Sequence, residues 1–110
     1  MGTKHLIEAT CPDCRGPMSE TRNQDLREYR CLVGHKYSAR SLLEAHSDAQ
    51  ERALWAAVVA LEESTNLVQM LRPGLPGHLA MRLEGQAERK RRQAVEIRGV
   101  LERLEAFQVE

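Results

Sequence analysis

Four side chains near the amino terminus carry the donor atoms that chemistry would need. Cys11 and Cys14 stand two residues apart in CPDCRGPM, Cys11 to Met18. Sixteen residues later, Cys31 and His35 stand three apart in CLVGHKYS. Three thiols and an imidazole can make a metal site, a redox pair or a Cys/His nucleophilic couple. The redox reading needs the C-x-x-C to open a helix after a strand, and Pro12 with Gly16 suits a tight knuckle better. A nucleophilic couple needs a cleft around an activated thiol, which one ribbon and a helical hairpin do not offer. A rubredoxin-like iron site would use four cysteines, so His35 favours zinc.

The spacing C-x2-C, sixteen residues, C-x3-H is that of a zinc ribbon: two short hooks separated by enough chain for a hairpin. Cys11, Cys14, Cys31 and His35 fill the four positions of a tetrahedral Zn(II), leaving none open for a reactive water. Gly16 and Gly34 stand where the backbone must bend around the ion. Three thiolates and a neutral imidazole around Zn(II) leave one negative charge, which Arg15, Arg30 and Lys36 can offset. The other histidines have plain uses at strand or helix ends; only His5 is near enough in sequence to compete as a ligand.

The elements that hold these hooks are legible from local pattern. KHLIEAT, PMSETR and REYRC predict three short strands, with Asn23-Gln24-Asp25 turning between the last two. Ser38 is a helix N-cap, and Ser47-Asp48-Ala49-Gln50 is a second capping pattern that marks a kink near 46–48, marks a fresh start, or sits inside one long helix. Leu54, Val58, Leu61, Thr65 and Val68 recur at helical spacing. RPGLPG, Arg72 to Gly77, stops that helix. Leu79, Leu83, Ala87, Ala94, Ile97, Leu101 and Leu104 form a second stripe, interrupted by Lys90. The expected fold is α+β: a small zinc ribbon over 1–38, then a long antiparallel helical hairpin over 39–110, with helices of about 39–71 and 78–108.

Composition narrows the function. Lys plus Arg total 16 and Asp plus Glu total 16, so no bulk charge draws the chain to nucleic acid or an anionic membrane. No apolar run reaches the roughly 18 residues of a membrane span, and MGTKHLIEATC lacks a signal-peptide core. Clustered cysteines, odd in number, fit a cytoplasmic metal protein rather than a disulfide framework. ALWAAVVAL, Ala53 to Leu61, is apolar all round, whereas a hairpin helix needs only one apolar stripe. The excess points to self-association or a protein partner. Residues 39–71 form an acidic arm, with Glu44, Asp48, Glu51, Glu62 and Glu63 against Arg40 and Arg52, and the ERKRRQ run, Glu88 to Gln93, is expected to be a solvated face pairing with it. The alternative is a nucleic-acid-binding zinc ribbon using Arg89 to Arg92.

Taken together, CPDC-x-G-P, R-x-Y-R-C-L-V-G-H-x-Y-S and SLLEAHSDAQERALWAAVVALEE resemble the C-terminal extension of some chemotaxis protein-glutamate methylesterase (CheB-type) proteins. That pattern runs CPDCGG, RC-x-VGH-x-[FY]S and ALWAAL-x-ALEE, and the match covers about residues 8 to 64. The resemblance implies zinc at Cys11, Cys14, Cys31 and His35 and an association with signalling. It implies no methylesterase activity, because these 110 residues hold neither the catalytic nor the receiver domain and no G-x-S-x-G elbow. The expectation is therefore a non-enzymatic, cytoplasmic Zn(II) module for protein–protein association, without a small-molecule substrate or membrane anchor.

Overall fold

The computed structural model describes residues 3–104. The chain is α+β: a four-stranded antiparallel sheet followed by two long helices. The strands are β1 (Thr3–Thr10), β2 (Pro17–Asn23), β3 (Leu26–Cys31) and β4 (Lys36–Tyr37), hydrogen-bonded in sequence order. Helix α1 runs Ala39–Leu71, a 3₁₀ turn follows at Arg72–Gly74, and helix α2 runs Gly77–Arg103. The expected end of the second helix, 105–108, lies outside the described residues. The chain divides into two compact units with the boundary after Gln50, inside α1.

A meander explains how distant hooks meet. The β1–β2 and β3–β4 connections lie at the same end of the sheet, and the β2–β3 hairpin turns at the other. The sixteen residues between Cys14 and Cys31 are therefore one strand out, a tight turn and one strand back. Asn23 pairs with Leu26, so Gln24 and Asp25 form a two-residue turn, with Gln24 left-handed at φ 57°. Strand alternation sets Met18 opposite Cys31, Glu20 opposite Tyr29 and Tyr29 opposite Tyr37 on one face. Cys11, Met18, Tyr29 and Cys31 are buried there, with Ile7, Tyr37 and Leu42 packed against them. The sheet has one strand more than expected: β4 is only two residues and exists because Tyr37 and Lys36 pair with β3.

Polar residues cross the same face in register. The Tyr29 hydroxyl donates to Glu20 Oε2 at 2.7 Å, and Arg22 donates to Oε1 at 3.2 Å. His5, opposite Glu20 on β1, brings Nε2 within 3.5 Å of Oε1. The Tyr29 hydrogen bond holds the Glu20 carboxyl below the usual carboxylate range and lifts the Tyr29 phenol above its own.

Ser38 caps α1 reciprocally. The Ser41 amide donates to Ser38 Oγ at 3.1 Å and the Ser38 amide donates to Ser41 Oγ at 2.9 Å, a capping box closed by a hydroxyl instead of a carboxylate. The second capping pattern starts no helix; Ser47 is buried within the single helix α1. Beyond Gln50 the two arms share a core of Val58, Ala94 and Leu101, with Leu54, Leu61, Ile97 and Leu104 partly buried around it. The buried positions of α2 are Ala80, Ala87, Ala94 and Leu101, one every seven residues, so Ala80 belongs to the stripe and Lys90 does not. Arg98 joins Glu62 through both carboxylate oxygens, and Arg72 joins Glu84. The basic run behaves otherwise than expected: Arg91 and Arg92 pair with Glu88 of their own helix, not with the acidic arm. Helical spacing of three and four makes that local pairing the shorter reach.

Candidate metal centre

The first hook is the β1–β2 connection. The Cys11 amide donates to the Gly16 carbonyl and the Arg15 amide to the Cys11 carbonyl, each at 2.8 Å, which curls Cys11 to Gly16 into a closed loop. The left-handed residue in that loop is Arg15, at φ 64°, one residue before Gly16. A Cβ on Gly16 would sit 3.5 Å from Cys14 Sγ, an ordinary contact. Gly34, at φ 115°, does occupy the left-handed position of the second hook, where its amide donates to the Cys31 carbonyl at 3.2 Å. Arg15 therefore bears a backbone cost that glycine would not. Arg15→Gly should stabilise the protein by about 0.5 to 1 kcal/mol after the extra flexibility of the unfolded chain is subtracted. Thermal melting of the metal-loaded variant against the parent checks it.

The two hooks bring Cys11, Cys14, Cys31 and His35 together, with their donor atoms all within 4.8 Å of one another. Cys14 Sγ lies 3.6 Å from Cys31 Sγ. His35 presents Nδ1, which lies 3.2 Å from Cys31 Sγ and 3.6 Å from Cys11 Sγ. A tetrahedral ion with about 2.3 Å bonds to sulfur and about 2.0 Å to nitrogen requires edges of about 3.8 Å between sulfurs and about 3.5 Å from sulfur to nitrogen. The three contacts Cys14–Cys31, Cys31–His35 and Cys11–His35 are within a few tenths of an ångström of those edges, so the cluster could hold a metal ion with four ligands. None of the three cysteines is in a disulfide. Cys11 and Cys31 are buried, while Cys14 and His35 lie nearer the surface.

Backbone amides face the sulfurs and prepare them as thiolates. Burial pushes the Cys11 thiol up, but amides of Cys14 and Asp13 and the Tyr37 hydroxyl outweigh it, so the net shift is downward. Burial likewise opposes ionisation of Cys31, and the His35 and Gly34 amides overcome it, lowering that thiol to about 6. The His35 amide lies 3.4 Å from Cys31 Sγ. For Cys14 the Gly16 amide favours the thiolate, yet burial and the two neighbouring sulfurs win and the shift is upward. The Cys31 sulfur raises the His35 imidazole. Among three converging sulfurs the last proton is the hardest to remove, which is the electrostatic strain a cation relieves.

No family model, curated protein or solved structure matches this chain.

Two residues around the cluster were not foreseen. The Tyr37 hydroxyl donates to Asp13 Oδ2 and also lies 3.6 Å from Cys11 Sγ. Tyr37 on β4 thus ties the second hook to the first, and burial with Asp13 raises its phenol above the ordinary range. A tyrosine two residues beyond His35, with an aspartate inside C-x-x-C, is the local signal for that clasp. The remaining histidines stay apart from the cluster: His5 meets Glu20, His46 places Nε2 3.1 Å from the Thr10 carbonyl oxygen, and His78 is exposed near the start of α2. Leu32 and Val33, at the tip of the second hook, are largely exposed.

Proposed function

We propose that Cys11, Cys14, Cys31 and His35 bind one structural Zn(II), and that the protein is a non-catalytic module for protein–protein association linked to chemotaxis-like signalling. The observation that carries the first part is the four-donor cluster, all within 4.8 Å, with three of its contacts at the lengths of tetrahedral edges. Thiolate and imidazole match the borderline softness of Zn(II). Four protein ligands leave no position for a bound water, so the ion serves folding. It pins the two hooks together at the end of the sheet opposite the β2–β3 turn.

Association is supported by the apolar surface of α1. Trp55, Val59, Leu67, Met70 and Leu71 are each close to half exposed or more. No described helix is long and apolar enough to cross a membrane. The link to signalling rests on the resemblance of the CPDC, CLVGHKYS and ALWAAVVALEE segments to the methylesterase extension.

Protein purified without an affinity tag should carry one equivalent of zinc, released stoichiometrically when the thiols are blocked by a mercurial. Refolding with Co(II) in place of zinc should produce intense tetrahedral d–d bands together with sulfur-to-cobalt charge transfer. Weak octahedral bands, or protein that folds with no metal at all, would refute the structural-zinc reading.

A further inference from the structure

The second arm of the hairpin covers only one side of α1. Val58 points into the shared core with Ala94 and Leu101. At about 100° per residue, the opposite side carries Ala53, Ala56, Ala60, Glu63, Leu67 and Met70. All six are exposed. Their steps of three and four are those of a packing seam, and Glu63 is its one charged member. Alanine at three positions lets a second helix approach to the short end of the usual interaxial range, about 8 Å.

We infer that this face packs against the same face of a second copy, antiparallel, about a two-fold axis at the level of Val58. The seam is its own complement. In that register Ala56 of one copy meets Ala60 of the other, and Glu63 meets Ala53. Arg52, the residue before Ala53, then reaches Glu63 of the other copy, and symmetry makes the pair twice. Within the chain, Glu62, Glu84 and Glu88 have arginine partners, while Arg52 and Glu63 form no ion pair among the described residues. A parallel pairing would set Arg52 against Arg52 and Glu63 against Glu63, so charge selects the antiparallel arrangement. This partner deepens the association reading above and does not depend on the zinc.

Sedimentation equilibrium on metal-quantified protein, from micromolar to several hundred micromolar, should give the mass of a dimer. Ala56→Glu, a change at an exposed helical site, should give a monomer with unchanged helicity and metal content. Arg52→Glu and Glu63→Arg alone should each weaken the dimer about tenfold, and the double swap should return it to within about threefold of the parent. A monomer throughout the range, a dimer indifferent to Ala56→Glu, or a double swap no better than the singles overturns the inference. Absence of metal in the same samples overturns the zinc reading whatever the mass, so the two failures are told apart.

Discussion

Cys31→Ser should abolish metal binding and unfold the sheet while leaving the hairpin core in place. The sheet's buried core is Cys11, Met18, Tyr29 and Cys31, so two of its members belong to the candidate metal cluster. Without the ion, that core keeps converging sulfurs at its centre and only Met18 and Tyr29 as large buried side chains. A unit of that size rarely secures more than about 3 to 5 kcal/mol by packing alone, whereas a structural zinc can supply on the order of 10 kcal/mol. A serine hydroxyl is a poor ligand for the ion and the wrong length for its sulfur–metal bond. Amide resonances from β1 to β4 should collapse to the random-coil region, while the helical circular-dichroism signal is largely kept. The core around Val58, Ala94 and Leu101 contains no ligand, which is why it should survive. Dispersed sheet resonances in metal-free Cys31→Ser would contradict the account.

Val58→Asp should do the reverse. Val58 is wholly buried against Ala94 and Leu101. A carboxylate there has no cation within its own cluster and must either open the hairpin or take up a proton. The cost should exceed about 4 kcal/mol, against about 2 kcal/mol for Val58→Ala, which loses two methyl groups and leaves a small void. Helicity at 222 nm and the thermal midpoint should fall sharply. The zinc content and the sheet resonances should remain, because the ligands lie in the other compact unit. Joint loss of sheet and hairpin in both variants would mean that the two units fold as one.

The features that local chemistry dictates were legible before any fold was known. Ligand spacing is one of them, because a two- or three-residue gap at a tight turn is the only way short side chains from one hook reach one ion. The Ser38 cap and the Arg72–Gly77 stop are others, since each is decided within a few residues of backbone. The helical stripe through Leu54, Val58 and Leu61 and that through Ala94, Ile97 and Leu101 needed only periodicity.

Features set by register and burial were not. A two-residue strand has no period, so β4 is defined only by its pairing with Tyr29 and Arg30. Gly16 marks the bend of the first hook, and only the hydrogen-bonded loop shows that the left-handed residue there is Arg15. His5 was weighed as a rival ligand, and strand pairing set it opposite Glu20 instead. The capping pattern at Ser47 is as good locally as that at Ser38, yet the helix runs through it with Ser47 buried. By itself the sequence determined the donor set, the two hooks and the helical hairpin, because those follow from spacing along the chain. Only the tertiary structure decided that the four donors converge within 4.8 Å of one another, that Tyr37 clasps Asp13, and which side of α1 is left open. Those facts depend on strands and helices meeting across long stretches of chain, where spacing alone specifies nothing.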